Sequence, residues 1–194
     1  MAKFGKKRFP ENYQHGVGMK AKPRLHDNSK ELASVLKDHT DLIKPKIFEL
    51  GSGPARNLHY ILKEHPLAKL YCSDLYKEAS LKHMSKEVVD VITFFEGDSE
   101  KVINDHVIKD LDLFLVSDHF MHLEYNKVDN IIKKVMSEWK PKYIMLREVK
   151  KEFETPDHPR LFHNYHYFLS DYDLIYEKTS EFAREYFIWI LKRS

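Results

Sequence analysis

Apolar residues recur along this chain in two alternating patterns. Short apolar runs that are typical of buried strands occur in five segments: KPKIFEL, AKLYCSD, DVITFFEGD, LDLFLVSD and KYIMLREV. Apolar residues spaced three and four apart predict helices, with stripes at Leu32, Val35 and Leu36, at Leu58, Ile61 and Leu62, and at Val128, Ile131, Ile132 and Val135. A weaker helical pattern covers KEASLKHMSKEV. The alternation predicts repeated strand, helix, strand units, and therefore an α/β fold with a parallel sheet and helices on both faces.

The two ends of the chain depart from this alternation. Segment 1–27 mixes Gly, Pro and Lys with aromatic residues and predicts an arm, whereas the capping-box spacing of Asn28 and Glu31 predicts that the first helix begins at Asn28. The strand-like runs YDLIYEKTS and REYFIWILKR are separated by too few residues for a crossover, so they predict an antiparallel hairpin. We therefore expect an N-terminal arm or lid over 1–27 and one domain over 28–194.

Composition narrows the class of protein. A chain of 194 residues with 42% hydrophobic residues can form one substantial core but is short for two. The net charge of +2, from 32 basic and 30 acidic residues, does not by itself predict nucleic-acid binding. The single cysteine, Cys72, excludes an internal disulfide, and no segment has the roughly 20 apolar residues of a membrane span. We expect a soluble, cytoplasmic protein that is a monomer or homodimer and does not act on a membrane.

The segment IFELGSGPARN carries the strongest chemical signal. It ends an apolar strand with Glu49, continues with Gly51 and Gly53, and then leads into a helical stripe. A glycine-rich turn between a strand and a helix lets a ligand approach the backbone at the helix N-terminus. A carboxylate at the strand end does not suit a pyrophosphate, so the pattern favours a cationic ligand.

Acidic residues also follow the next two strands. Asp74 ends LYCSD about twenty residues after the glycines, at the spacing from which a carboxylate can accept hydrogen bonds from ribose hydroxyls. Asp98 follows FFEG in the same way. Since parallel strands present their carboxyl ends at one edge of the sheet, we expect Glu49, Asp74 and Asp98 to meet at that edge.

These residues resemble the cofactor-binding motifs of the class I S-adenosylmethionine-dependent methyltransferases, of which the chain looks like a small single-domain member. The resemblance covers Ile47 to the C-terminus, and DLFLVSDHFMHL and WKPKYIMLREV match the family's fourth and fifth strands. It implies a Rossmann-like, seven-stranded, mostly parallel sheet with a C-terminal antiparallel hairpin, and S-adenosyl-L-methionine as the cofactor. The third glycine usual in the family is replaced by Ala55, after Pro54.

The resemblance also implies a set of cofactor-binding residues. Glu49 and the glycines would line the methionine part, Asp74 the ribose, and Asp98 with Ser99 the adenine. The complete implied set is Glu49, Gly51, Ser52, Gly53, Asn57, Asp74, Leu75, Gly97, Asp98, Ser99 and Ser117.

Candidate catalytic residues lie in the loop after the fourth strand, which faces the methyl group in this family. Asp118, His119 and His122 are titratable, and a histidine with a pKa near neutrality could deprotonate a hydroxyl acceptor. Either histidine could instead stack on the adenosine or cap a helix. Arg147 and Glu148 end the fifth strand and could hold a polar acceptor or form an ordinary ion pair.

Two further segments could contact the acceptor. His163 and His166 lie in ETPDHPRLFHNYHYFLSD, where aromatic and imidazole side chains favour an acceptor pocket or plain packing. Their spacing also suits zinc, but with one cysteine and no suitably spaced acid we predict no metal site. Tyr13 and His15 would contact the acceptor if the arm closed as a lid, with Gly16 and Gly18 as its hinge.

The favoured function is methyl transfer to an oxygen or nitrogen of a small molecule or glycan. One alternative is an RNA, DNA or protein methyltransferase, which the basic arm and its aromatic residues would favour, although we consider nucleic acid unlikely as a partner. Another is a catalytically inactive S-adenosylmethionine-binding partner subunit, for which the replaced third glycine is the sequence support.

Overall fold

The computed structural model describes residues 23–150, 153–154, 159–163, 165, 170–181 and 185–194. Its α-helices are α1 (Pro23–His39), α2 (Arg56–Glu64), α3 (Lys77–His83), α4 (Lys86–Val89), α5 (Ser99–Asp105) and α6 (Tyr125–Lys134). Its strands are β1 (Lys46–Leu50), β2 (Lys69–Asp74), β3 (Ile92–Glu96), β4 (Leu113–Ser117), β5 (Tyr143–Val149), β6 (Phe153–Glu154), β7 (Pro159–Arg160), β8 (Tyr172–Thr179) and β9 (Tyr186–Arg193). A 3₁₀ turn (Phe120–His122) precedes α6, and a π-helical turn (Val135–Trp139) follows it.

Seven of the described strands form one sheet in the order β3-β2-β1-β4-β5-β9-β8. The first five strands in this order are parallel, and β9 lies antiparallel to both β5 and β8. The predicted mostly parallel sheet and its antiparallel C-terminal hairpin are therefore confirmed. The short strands β6 and β7 pair with each other separately.

The two faces of the sheet bury separate hydrophobic clusters, so the predicted helices on both faces are confirmed. Helices α1, α2 and α4 pack on one face through residues that include Leu32, Leu58 and Val88. Helices α5 and α6 pack on the other face, where Val102 and Ile131 join the cluster. Strand β5 is buried along its whole length because both faces of the sheet are covered.

The first helix differs from the prediction. It extends from Pro23 and not from Asn28, so the capping-box interpretation is wrong. Glu31 does not cap the helix; its carboxylate accepts hydrogen bonds from the Ser180 hydroxyl at 2.7 Å and from the Glu181 backbone N–H at 2.8 Å. The sequence pattern gave the wrong prediction because Glu31 has the spacing of a capping acid, although its partners lie in a distant turn.

Two other elements differ from the sequence pattern. The weak helix predicted over KEASLKHMSKEV is two short helices, because Met84 and Ser85 between them have extended backbone. Helix α5 was not predicted, and Asp98 begins it by accepting a hydrogen bond from the Glu100 backbone N–H at 3.1 Å. Seven residues are too few to produce a clear apolar stripe.

The strand order reverses between β1 and β4, which lie side by side although the chain runs from β1 outward to β2 and β3. Ligands of open α/β sheets bind at the carboxyl ends of the strands at such a switch point. Within the described ranges, no helix combines the length and the apolar character needed to cross a bilayer.

Candidate active site

A cavity of about 170 Å³ lies at the switch point between β1 and β4. Its walls come from α1, the turn after β1, the start of α2, and the ends of β4 and β5. The lining residues are Asn28, Ser29, Glu49, Gly51, Ser52, Gly53, Pro54, Arg56, Asn57, Ser117, Asp118 and Arg147. We call this space the switch-point cavity.

The turn after β1 has an unusual backbone. Gly51, Gly53 and Ala55 adopt left-handed conformations, with φ values of 67°, 52° and 52°. Glycine reaches this region without penalty, whereas an L-residue with a Cβ pays roughly 1–2 kcal/mol. Ala55 is therefore accommodated at some cost in stability.

Asp74 at the end of β2 stabilises this turn through a hydrogen bond. Its carboxylate accepts a hydrogen bond from the Gly53 backbone N–H at 2.9 Å, and the Ser52 N–H donates to the Ser73 carbonyl at 2.9 Å. The predicted meeting of the first two strand-end acids with the glycine turn thus occurs. Asp74 is half-buried, at the margin of the turn and outside the lining of the switch-point cavity.

Glu49 is a buried carboxylate in the cavity wall, with 1% of its surface exposed. Its Oε1 accepts a hydrogen bond from Asn57 Nδ2 at 2.6 Å, while its Oε2 is buried without a hydrogen-bond partner among the described residues. Burial raises the pKa of Glu49 to about 8, since ionisation away from water is costly, and the hydrogen bond from Asn57 only partly opposes this. A cationic group in the cavity would bind to the second oxygen.

Helix α1 supplies a wall that sequence reasoning missed. Ser29 donates a hydrogen bond to Asn57 Oδ1 at 2.7 Å and thereby orients the amide that binds Glu49. Asn28 lies beside it, and Pro54 and Arg56 were missed as well. A signal for Asn28 was present, because it lies four residues before Leu32 on the apolar face of the helix, where an isolated polar residue is unexpected.

Arg147 and Asp118 form an ion pair at the opposite wall. Arg147 is 1% exposed, and its Nη1 donates to Asp118 Oδ2 at 2.5 Å. Its guanidinium carbon lies 4.6 Å from the ring centroid of Tyr186. Among the described residues, Arg147 Nε and Asp118 Oδ1 are buried without hydrogen-bond partners, so this pair also retains capacity to bind a polar ligand.

His119 lies between the glycine turn and Ser99. Its Nε2 is 2.6 Å from the Ser99 hydroxyl, and a Cβ placed on Gly51 would lie 2.0 Å from its Nδ1. Gly51 is therefore required by close packing as well as by its backbone conformation. Burial lowers the pKa of His119, although nearby Asp74 and Asp98 oppose this, so the imidazole is held in its neutral form.

Glu148 organises the loop after β4. It is fully buried, and its carboxylate accepts hydrogen bonds from the backbone N–H groups of His119, Phe120 and Met121 at 2.9, 2.9 and 3.2 Å. Burial and the neighbouring Asp118 raise the pKa of Glu148 to about 8, against the effect of these hydrogen bonds. Glu148 does not line the switch-point cavity, and neither does it pair with Arg147.

The remaining predicted residues have varied positions. Asp98 forms an ion pair with Lys127 at 3.2 Å in addition to beginning α5, and His163 is buried with Nε2 2.8 Å from the Phe120 carbonyl oxygen. Leu75 is 48% exposed beside the turn, and Ser117 lines the switch-point cavity. Gly97 lies directly after β3 with a φ of 152°, and the half-buried His122 ends the 3₁₀ turn.

Some predictions fall on residues that the structure does not describe. Tyr13, His15 and His166 lie outside the described residues, as does segment 1–22 of the predicted arm. Among the residues that are described, no cluster of three His, Cys, Asp or Glu side chains could hold a metal ion.

Replacing Glu49 with glutamine is expected to stabilise the ligand-free protein at alkaline pH. The native state holds a proton on Glu49 up to about pH 8, whereas the unfolded state releases it near the ordinary value of 4.5, so wild-type stability falls as the pH rises between these values. Glutamine keeps the acceptor for Asn57 without the buried charge. Urea unfolding should show a gain of about 1–3 kcal/mol at pH 8.5 and little change at pH 5.

The matched control for this substitution is Glu100→Gln, which also alters one hydrogen bond to an asparagine, at an exposed contact with Asn130. It should change stability similarly at both pH values. A Glu49→Gln variant that is destabilised at pH 8.5 would contradict the inference that the buried carboxylate is costly.

Solved structures with a similar fold include methyltransferases. The glycopeptide N-methyltransferase MtfA, complexed with S-adenosyl-L-homocysteine, aligns with a TM-score of 0.64 and 13% identity over 87% of this chain and 90% of its own. The magnesium protoporphyrin IX methyltransferase ChlM from Synechocystis PCC 6803, with bound S-adenosylmethionine, aligns with a TM-score of 0.66 and 13% identity. The alignment covers 88% of this chain and 80% of ChlM. A small RNA methyltransferase aligns with a TM-score of 0.62 and 16% identity, over 85% of this chain but only 25% of its own.

The amino-acid sequence itself matches no protein-family model and no curated protein. At 12–16% identity, the likeness to the solved structures is one of fold.

Proposed function

Because this chain has the fold of the class I S-adenosylmethionine-dependent methyltransferases, we propose that it is an enzyme that transfers a methyl group from S-adenosyl-L-methionine to an oxygen or nitrogen of a small molecule or glycan. The observation that carries the proposal is the buried oxygen Oε2 of Glu49, which has no partner among the described residues and belongs to a wall of the switch-point cavity. A buried carboxylate of this kind is stabilised by a cation.

The charges of the switch-point cavity fit the methionine part of this cofactor, which carries an ammonium and a carboxylate group. Glu49 would hold the ammonium group, and Arg147 and Arg56, which line the same cavity, would hold the carboxylate. The backbone at Gly51 and Gly53 allows close approach. A dinucleotide fits less well, because its pyrophosphate offers no cation to Glu49 and would be repelled by Asp118.

When bound, S-adenosylmethionine supplies an electrophilic methyl group, which the acceptor's lone pair takes as the carbon–sulfur bond breaks and S-adenosylhomocysteine is released. This chain's residues would position the acceptor and remove its proton. The candidates for taking that proton are His119, whose Nε2 is 2.6 Å from the Ser99 hydroxyl, and Asp118 and His122 on the same loop. Glu148 would hold this loop in place through three backbone N–H groups.

The wall that Arg147 and Asp118 form supports the binding of a polar ligand in the switch-point cavity. Each of these side chains has a buried polar atom without a partner among the described residues, and such atoms gain from hydrogen bonds to an incoming ligand. Asp118 also adopts a left-handed backbone with φ 57°, a conformation that is costly for a residue with a Cβ and is often found at functional sites.

Isothermal titration calorimetry tests the cofactor assignment. We expect S-adenosylmethionine to bind and NAD not to bind. Asp74→Asn keeps an oxygen for the Gly53 N–H but removes the charge that would hold the ribose, so affinity should fall by about 1.5–3 kcal/mol. Glu49→Gln should weaken binding as well, because the cation would lose its counter-charge.

The control is Asp129→Asn, which alters a surface pair with Lys133 outside the switch-point cavity and should leave the affinity unchanged. Equal affinity of the Asp74→Asn variant and the wild-type protein would remove Asp74 from the site, and binding of NAD in place of S-adenosylmethionine would refute the proposed function.

A further inference from the structure

A second cavity, of about 270 Å³, lies beside the C-terminal hairpin. It shares no lining residue with the switch-point cavity. Its walls come from the end of β5, from β8 and β9, and from the segment that follows β7. The lining residues are Lys150, Phe162, Tyr165, Glu177, Phe187 and Trp189, and we call this space the aromatic cavity.

The deep part of the aromatic cavity is made of three buried rings. Tyr165, Phe187 and Trp189 are 1%, 5% and 9% exposed. The ring centroids of Tyr165 and Phe187 are 5.6 Å apart, and those of Phe187 and Trp189 are 4.8 Å apart, with the planes inclined. Such a wall offers both faces and edges of rings, which favours a flat aromatic guest over a saturated one.

The rim of the aromatic cavity is polar except at one point. Glu177 is exposed and accepts a hydrogen bond from Trp189 Nε1 at 3.1 Å, and the Lys150 ammonium donates to the Thr179 hydroxyl. Phe162 at the rim is 39% exposed and lies edge-on to Tyr165. A large apolar side chain exposed at the mouth of an aromatic cavity would gain by covering a ligand.

One buried polar atom adds a requirement for the ligand. The Tyr165 hydroxyl is buried, and it has no hydrogen-bond partner among the described residues. A buried hydroxyl left in this state is unfavourable, and a hydroxyl or amino group on the guest could offset that cost.

The aromatic cavity and the switch-point cavity both have a lining residue at the carboxyl end of β5. Lys150 of the aromatic cavity follows Arg147 of the switch-point cavity by three residues, which places their backbones within roughly 10 Å of each other. The rings of the aromatic cavity pack with Leu146 on one face of the sheet, whereas Arg147 points to the other face. The Arg147 guanidinium lies over the ring of Tyr186, whose neighbour Phe187 lines the aromatic cavity.

We propose that the aromatic cavity binds a planar aromatic ring bearing a hydroxyl or amino group, and that this ring is part of the methyl acceptor. The role as acceptor rests on the proposed function, whereas the binding of the ring does not. The six lining residues would therefore determine which class of acceptor this protein uses.

Calorimetry with 2-naphthol as the probe tests the ring, and the saturated analogue decahydro-2-naphthol serves as the control ligand. We expect 2-naphthol to bind at least about 10-fold more tightly than its analogue, because only a flat ring uses the aromatic wall. Tyr165→Phe should weaken the binding of 2-naphthol by about 3- to 10-fold. It should leave the binding of 2-methylnaphthalene unchanged, since that probe lacks the hydroxyl.

Phe162→Ala should also weaken the binding of 2-naphthol. The control is Ile43→Ala, which should not change this binding because Ile43 is 80% exposed and lies outside both cavities. All three variants should bind S-adenosylmethionine like the wild-type protein. Equal binding of the two ring systems, or no binding of 2-naphthol, would overturn the aromatic site even if S-adenosylmethionine binds. Binding of 2-naphthol without S-adenosylmethionine binding would instead overturn the proposed function and, with it, the acceptor role.

Discussion

Replacement of Gly51 by alanine is expected to abolish cofactor binding at ordinary concentrations, with a loss of more than about 100-fold in affinity, or about 3 kcal/mol. Two physical effects combine. Alanine in the left-handed conformation that Gly51 adopts costs roughly 1–2 kcal/mol, and the new methyl group would lie 2.0 Å from the His119 ring. An alanine that relaxes out of this conformation would also displace the turn whose backbone lines the switch-point cavity.

The double variant Gly51→Ala/His119→Ala separates these effects. Removal of the imidazole should restore part of the lost unfolding free energy, because the steric contact disappears, but it should not restore the affinity for S-adenosylmethionine. Denaturant unfolding and calorimetry on the single and double variants measure the two quantities. A Gly51→Ala protein that binds the cofactor with wild-type affinity would show that the turn does not form the site.

Replacement of Glu148 by alanine is expected to lower the free energy of unfolding by about 3–5 kcal/mol, because a buried network loses its single acceptor. Three backbone N–H groups, of His119, Phe120 and Met121, would lose the carboxylate to which they donate. Because they belong to the loop that carries the candidate catalytic residues, turnover should fall together with stability.

Urea unfolding at pH 7 measures the loss, and Glu100→Ala is the control because it removes one hydrogen bond at an exposed position. That variant should stay within about 0.5 kcal/mol of the wild-type protein. If Glu148→Ala also changed the free energy of unfolding by no more than about 0.5 kcal/mol, the three N–H groups would be donating to water or other acceptors. Glu148 would then have no role in positioning the loop.

The local pattern of residues determined much of the architecture. Apolar runs and stripes were enough to locate β1 to β5 and the longer helices, because burial of one face imposes a period that is visible within a few residues. The short link between β8 and β9 was enough to require antiparallel pairing. The glycine turn and Glu49 were found for the same reason, since strand, turn and helix lie within one continuous segment, and Asp74 was found because it ends the next strand.

Contacts between distant segments were decided by the tertiary structure. Strand order and register place Arg147 beside Ser117, and so bring its guanidinium to Asp118, 29 positions earlier in the chain. Neither residue indicates this partner, because a strand sequence specifies which face is buried but not which strand lies next to it.

The same limit applies to the roles of individual polar residues. Ser29 reaches the site because α1 packs against α2, and Glu148 turns toward the loop after β4 and away from the cavity because alternate residues of β5 face opposite sides of the sheet. The sequence by itself determined the class of fold, the glycine turn and its acids, which depend on local periodicity and backbone chemistry. Only the tertiary structure decided which charged side chains face the cavity and which hold its walls, because that depends on strand order, register and helix packing.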